Sequence, residues 1–171
     1  LQIGDEHARL AAVKNGNIDG TVMNAPFAAE AEKLKLNVVA DSVKMGIPFF
    51  NTGLLGSKKF FDQNEAKDLN FLRAYLESIK VFKTEREYAV KSTAQFTRIN
   101  NTKAIEEGYD YFKEQLNNVP YPSAEAMRAV VTQLGETNPK ARKIDGKIYV
   151  NDRYLKQLEE EGFVKKLWES K

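Results

Sequence analysis

Short apolar segments alternate with stretches of helical spacing up to about Leu55, and helical spacing dominates from there to the end of the chain. Residues 21–23 and 36–40 have the length and apolar character of short buried strands, and helices are predicted on either side of the first. Such alternation is typical of βαβ units with a parallel sheet. The sequence therefore predicts an α/β fold that is rich in helices.

The helical region carries further local predictions. Helices are expected to be capped by Ser57, Asn101 and Ser123, and Thr84 with Glu87 is expected to form a capping box. The helix after Ser57 is predicted to bury a row made of Phe71, Tyr75, Ile79 and Phe82. Residues 147–150 are predicted to be briefly extended.

The predicted sheet is incomplete within this chain. Two strands do not form a stable open sheet by themselves, so further strands are expected from elsewhere. The sequence also starts at Leu1 without an initiator Met or an export signal. We therefore expect the missing strands to come from an N-terminal half of the same protein, or from another chain.

Composition and charge argue against several classes of function. The chain carries a net charge of +2 with both signs interleaved, which disfavours a nucleic-acid binder. Its apolar runs are too short for a membrane span, and it has no cysteine for disulfides or thiolate metal sites. The only histidine, His7, is expected on a helix surface, and no metal cluster, nucleophile–base pair or phosphate loop accompanies it. The sequence thus predicts no catalytic residue, no metal and no cofactor.

Several segments, taken in order, resemble one known family. Residues 9–26 read RLAAVKNGNIDGTVMNAP, a helix followed by a turn, an apolar strand and a proline. Residues 38–42 read VVADS and precede GIPFFNTGLL at 46–55. The tail adds VPYP at 119–122, NPKA at 138–141, DRYL at 152–155 and LEEEGF at 158–163. This order resembles the two-lobed periplasmic solute-binding proteins of ABC transporters with the type II fold, in the nitrate/sulfonate/taurine and thiamine-precursor branch.

The resemblance covers nearly the whole chain and corresponds to the C-terminal half of the family fold. It implies that residues 1–46 belong to the second lobe, 47–52 to the crossover between lobes, and 53–171 to the first lobe with a helical tail. It also implies an exported protein, periplasmic or extracellular and in some cases lipid-anchored. Such a protein captures a small solute and delivers it to a permease and its ATPase. The solute would be an organic anion of the sulfonate or nitrate type, or a pyrimidine-type heterocycle.

The expected ligand site lies where the first predicted strand ends and the crossover passes. Ligands of open α/β sheets bind outside the carboxyl ends of the strands, and a helix that starts there offers free N–H groups. The site is predicted to consist of five residues: Asn24, Pro26, Phe27, Asn51 and Thr52. Each also has a structural alternative. Asn24 suits a turn before proline, Phe27 suits a core, and Asn51 and Thr52 suit hinge or strand-edge hydrogen bonding.

Two other functions remain open at this point. An enzyme on the same fold, such as a pyrimidine-precursor synthase, would require histidine or cysteine chemistry, which only His7 could supply. The effector-binding domain of a transcription regulator shares the two-lobed fold, but the helical region from Lys83 onward is longer than that role requires. The neutral amide of Asn24 stands where relatives that bind amino acids commonly carry an acid, which disfavours an amino-acid ligand.

Overall fold

The computed structural model describes residues 3–42, 44–47, 50, 53–98 and 101–169 of the chain. These residues form nine α-helices and two short 3-10 helices. The α-helices are α1 (Glu6–Lys14), α2 (Ala25–Lys33), α3 (Lys58–Gln63), α4 (Glu65–Thr84), α5 (Arg86–Thr97), α6 (Thr102–Gln115), α7 (Ala124–Thr137), α8 (Arg153–Glu160) and α9 (Phe163–Glu169). The 3-10 helices span Ala141–Lys143 and Gly146–Tyr149.

Helix starts follow local capping chemistry. The hydroxyl of Ser57 accepts a hydrogen bond from the N–H of Phe60 at 3.1 Å, so α3 begins at the next residue. Ser123 caps α7 in the same way at 3.1 Å, and the amide oxygen of Asn101 accepts from the N–H of Ala104 at 3.2 Å. All three caps were predicted from the sequence and are confirmed, because capping depends only on neighbouring residues.

The predicted α/β fold is wrong, because no strand forms anywhere in the described residues. Residues 21–23 and 36–40 run without helix, turn or bend but pair with no neighbouring strand, and residues 147–149 lie in a 3-10 helix. A strand exists only as part of a hydrogen-bonded ladder, and neither segment lies beside a partner. The architecture of the described residues is therefore all-α, not the α/β half of a two-lobed fold.

The chain divides into two compact units. Unit 1 comprises Leu1–Met45 and Arg86–Gln115, and unit 2 comprises Gly46–Glu85 and Leu116–Lys171. The chain therefore passes from one unit to the other three times. The predicted organisation into residues 1–46, 47–52 and 53–171 stays a prediction, because four of the six crossover residues lie outside the described part of the chain.

Unit 1 contains α1, α2, α5 and α6. Helix α2 packs against α1 and α6, and α5 packs against α6. The ammonium of Lys33 on α2 lies 2.9 Å from the carboxylate of Glu107 on α6. On α5, the guanidinium of Arg86 lies over the ring of Tyr109 at 5.4 Å. Where the structure describes the side chains of this unit, four apolar ones are buried: Leu10, Ala89, Ile105 and Tyr109.

Unit 2 contains the larger apolar core, built where α4 packs against α8 and α9. Its central cluster consists of Leu69, Leu76, Tyr154, Leu155 and Leu158. Leu76 and Leu158 have no exposed surface at all. Burial of this apolar surface supplies the main stabilisation of the unit. Helix α7 packs against both 3-10 helices in the same unit.

Candidate functional site

Asn24 lies at the start of α2, in unit 1, with an exposed side chain that makes no capping hydrogen bond. An N-cap side chain normally accepts from the N–H of the second or third helical residue. The second residue here is Pro26, which has no N–H, and the N–H of Phe27 donates to the carbonyl of Asn24 at 3.1 Å. The carboxamide of Asn24 is therefore left to interact with something else.

The main chain of Asn24 is held by the first turn of α1. Its N–H donates to Oε1 of Glu6 at 2.7 Å, across 18 residues of sequence. The same carboxylate oxygen lies 3.6 Å from Nη2 of Arg9. The Nε atom of Arg9 is buried and has no hydrogen-bond partner among the described residues. Glu6 thus accepts a hydrogen bond from Asn24 and forms an ion pair with Arg9. The hydrogen bond links the start of α2 to the first turn of α1.

Phe27 forms an aromatic contact with His7. The two rings meet edge to face, with centroids 4.6 Å apart and an interplanar angle of 88°. Phe27 is half-buried and His7 is exposed. Such a geometry is favourable for aromatic pairs, because the positive edge of one ring meets the negative face of the other. The contact packs the Phe27 ring of α2 against α1.

The structure brings part of the predicted site together. Asn24 and Phe27 lie within the first turn of one helix, and Pro26 lies in that turn with a side chain outside the described atoms. Asn51 and Thr52 lie outside the described residues. Their membership of the site stays a prediction.

Three residues of this region were not assigned to the site from the sequence: Glu6, His7 and Arg9. His7 was interpreted only as a residue on a helix surface. It is exposed on α1, and it also contacts Phe27, 20 positions further along the chain. The spacing of apolar residues within one helix cannot indicate a contact between residues 20 positions apart. The acidic residue in the first turn of α1 was the one visible signal, since acids favour that position.

The arrangement offers neutral hydrogen-bonding groups. A carboxamide has one acceptor oxygen and two donor hydrogens, so it can bind anions, carbonyls and ring nitrogens alike. The α2 N-terminus adds a partial positive charge. No group of three or more potential metal ligands forms among the residues that the structure describes.

A groove in unit 2 contains none of the predicted site residues. It has a volume of about 500 Å³ and lies along α7 and the two 3-10 helices. Arg142 borders it, and its Nε donates to the carbonyl of Gly135 at 2.6 Å. This carbonyl belongs to the last turn of α7, where such groups lack a partner within the helix. The contact therefore has a sufficient explanation as a helix C-terminal cap.

Comparison with known proteins gives no assignment: the chain matches no protein-family model, none of the curated proteins and none of the solved structures. Within the described residues, every helix is too short or too polar to span a membrane.

Proposed function

We propose that this chain is part of the substrate-binding component of an ABC importer, which captures a small solute and delivers it to a permease and its ATPase. The solute is an organic anion of the sulfonate or nitrate type, or a pyrimidine-type heterocycle. The protein acts in the periplasm or outside the cell, and it binds without turnover. The order of the sequence segments that resemble solute-binding proteins supports this proposal.

The observation that carries the proposal is the unused carboxamide of Asn24 at the start of α2. Asn24 lies in the same helical turn as Phe27, whose ring contacts His7 and supplies an apolar surface. A polar group with directional hydrogen bonds next to an aromatic wall is the usual composition of a small-molecule site. Nitrate, sulfonate and aminopyrimidine groups all match the hydrogen bonds that a carboxamide can make.

Calorimetric titration of the chain tests the proposal, with nitrate, methanesulfonate and 4-aminopyrimidine as separate probes. We expect one of the three to bind, and Asn24→Ala to weaken that binding by about 1–2 kcal/mol, roughly a 5- to 30-fold rise in Kd. The reason is the loss of a hydrogen bond that no group of the protein replaces.

Asn17→Ala is the matched control, because it removes an exposed amide from the same unit but from the bend after α1. It should leave the Kd unchanged. Equal affinity of the wild type and Asn24→Ala would remove Asn24 from the site. Conversion of a probe to a new product, followed by mass spectrometry, would contradict binding without turnover.

A further inference from the structure

Residues 36–40, with the sequence LNVVA, follow the end of α2. They form a largely exposed segment without helix, turn or bend. Lys35 has a positive φ of 61°, which turns the chain out of the helix. The N–H of Leu36 donates back to the carbonyl of Ala31 at 3.0 Å. This bond is the last that ties the segment to α2.

The main chain of residues 37–40 is unpaired. No hydrogen bond joins an N–H or C=O group of these residues to any other described residue. Val39 is 96% exposed and Val38 is 54% exposed. An exposed, unpaired apolar segment rich in β-branched residues is the type of segment that pairs with another strand.

We propose that residues 36–40 pair with the same segment of a second copy, forming a symmetric antiparallel ribbon centred on Val38. The segment contains no charged residue, so two copies meet without like-charge repulsion. A two-fold interface requires a surface that complements itself, and an antiparallel strand pair has that property in its main chain. A partner strand in this arrangement bonds the N–H and C=O groups of Asn37 and Val39 and places the two Val38 side chains against each other.

The register of the proposed strand pair follows from the hydrogen bond between the N–H of Leu36 and the carbonyl of Ala31. In an antiparallel pair, hydrogen-bonded and non-hydrogen-bonded positions alternate. Because the N–H of Leu36 is occupied by α2, the bonded positions are Asn37 of one copy and Val39 of the other. Val38 then faces Val38 across the two-fold axis at a non-hydrogen-bonded position, where Cα atoms lie about 4.5 Å apart.

The ribbon is short, so the dimer is weak. Five residues from each copy bury far less than the roughly 1,200 Å² of a standard stable interface. We therefore expect a Kd on the order of 10–100 μM. Sedimentation velocity of the chain over about 5–500 μM should show a shift from monomer to dimer over that range.

Val39→Pro tests the main-chain pairing. Proline removes the N–H that the register uses. This N–H has no partner among the described residues, so no hydrogen bond of the described fold is lost. We expect the variant to stay monomeric over the whole range. Val39→Thr keeps the N–H and the β-branched shape, so it should dimerise within about threefold of the wild-type Kd.

A cysteine pair tests the register, since the natural chain has no cysteine. Val38→Cys places two thiols opposite each other at a distance that suits a disulfide. Val39→Cys places each thiol opposite Asn37 of the other copy instead. Under mild oxidation we expect Val38→Cys to form covalent dimer at least about tenfold faster than Val39→Cys, since only the first meets the geometric requirement.

Three results would overturn the proposal. If the wild-type chain stays monomeric up to about 500 μM, the segment does not pair with a second copy, and a different polypeptide would be its partner. A Val39→Pro variant that dimerises like the wild type places the interface elsewhere. Equal crosslinking rates for the two cysteine variants indicate unspecific association.

Discussion

Tyr121 shows how one hydrogen bond between segments distant in sequence changes the titration of a side chain. Its hydroxyl donates to Oε2 of Glu159 on α8 at 2.7 Å. Burial, the hydrogen bond to Glu159 and the charge of that carboxylate together raise the pKa of Tyr121 to about 12. Ionisation of the phenol would place a second negative charge beside the first.

The raised pKa of Tyr121 has a consequence for stability. The folded chain holds this proton more tightly than the unfolded chain, where the pKa is about 10. The stabilisation is therefore fully present below about pH 10 and is lost as the pH rises towards 12. The free energy of unfolding should fall through this window.

Ultraviolet absorbance of the phenolate checks the titration directly. The comparison is between the wild type and Tyr121→Phe at about pH 11, which lies below the pKa of Tyr121. We expect the two proteins to show the same amount of phenolate, because Tyr121 is still protonated. Glu159→Gln should lower the pKa of Tyr121 and add phenolate at that pH, with circular dichroism confirming that the helices persist. More phenolate in the wild type than in Tyr121→Phe would contradict the assignment.

Local interactions at other residues were predicted less well. Thr84 and Glu87 were expected to form a capping box at the start of the helix after Lys83. In the structure Thr84 is the last residue of α4, and its hydroxyl donates to the carbonyl of Lys80 at 2.9 Å. The predicted capping box is wrong, because the hydroxyl bonds back into the preceding helix instead.

Helix α4 shows why an element can be predicted while its buried face is not. A buried row of Phe71, Tyr75, Ile79 and Phe82 was expected. The structure buries Leu69, Leu76 and Ile79, whereas Phe71 is 53% exposed and stacks on Tyr75. Two apolar rows lie side by side on this helix, and helical spacing fits both. Contact with α8 and α9 decides which row is buried.

Two glycines in different elements should respond to alanine in opposite ways. Gly146 begins the second 3-10 helix and is buried against α7. A Cβ atom there would meet Cγ of Met127 at 2.9 Å and Cγ2 of Val131 at 3.2 Å. We expect Gly146→Ala to destabilise the chain by about 1–3 kcal/mol, the typical cost of overpacking.

Gly108→Ala is the counterpart. Gly108 lies inside α6, and a Cβ atom there would meet nothing within 4 Å. Alanine should stabilise the helix by about 0.5–1 kcal/mol, because glycine loses more backbone freedom when it becomes helical. Urea unfolding followed by circular dichroism measures both changes. A neutral or stabilising Gly146→Ala would show that the contact with α7 is looser than the structure indicates.

At the scale of the whole molecule, the two units differ in how much apolar surface they bury. Among the described residues, the two leucines without exposed surface are Leu76 and Leu158, and both lie in unit 2 within a continuous cluster. Unit 1 buries only one residue of α1, Leu10, and none of the described side chains of α2. Regions with few buried apolar contacts open locally at lower free energy.

Hydrogen exchange should follow this difference. We expect the amides of Ile79 and Leu158 to exchange at least about tenfold more slowly than those of Leu10 and Val13, because their helices open only with the core of unit 2. Exchange followed residue by residue by NMR at neutral pH measures the ratio. Equal protection of the two sets would mean that burial does not govern opening in this chain.

The sequence by itself determined the helices from Ser57 onward and the caps at Ser57, Asn101 and Ser123. These features depend on interactions three or four residues apart, which are present in any window of the chain. It also placed Asn24 at the start of a helix that contains proline in its first turn, as the structure confirms. Local chemistry is sufficient for such features.

Only the tertiary structure decided the rest. Residues 21–23 and 36–40 have strand-like composition, but a strand needs a neighbour, and no described residue provides one. Which face of α4 is buried depends on helices about 80 residues further along the chain. The contacts of Glu6 with Asn24 and of His7 with Phe27 join residues 18 and 20 positions apart. Such contacts are set by packing, which periodicity and composition do not encode.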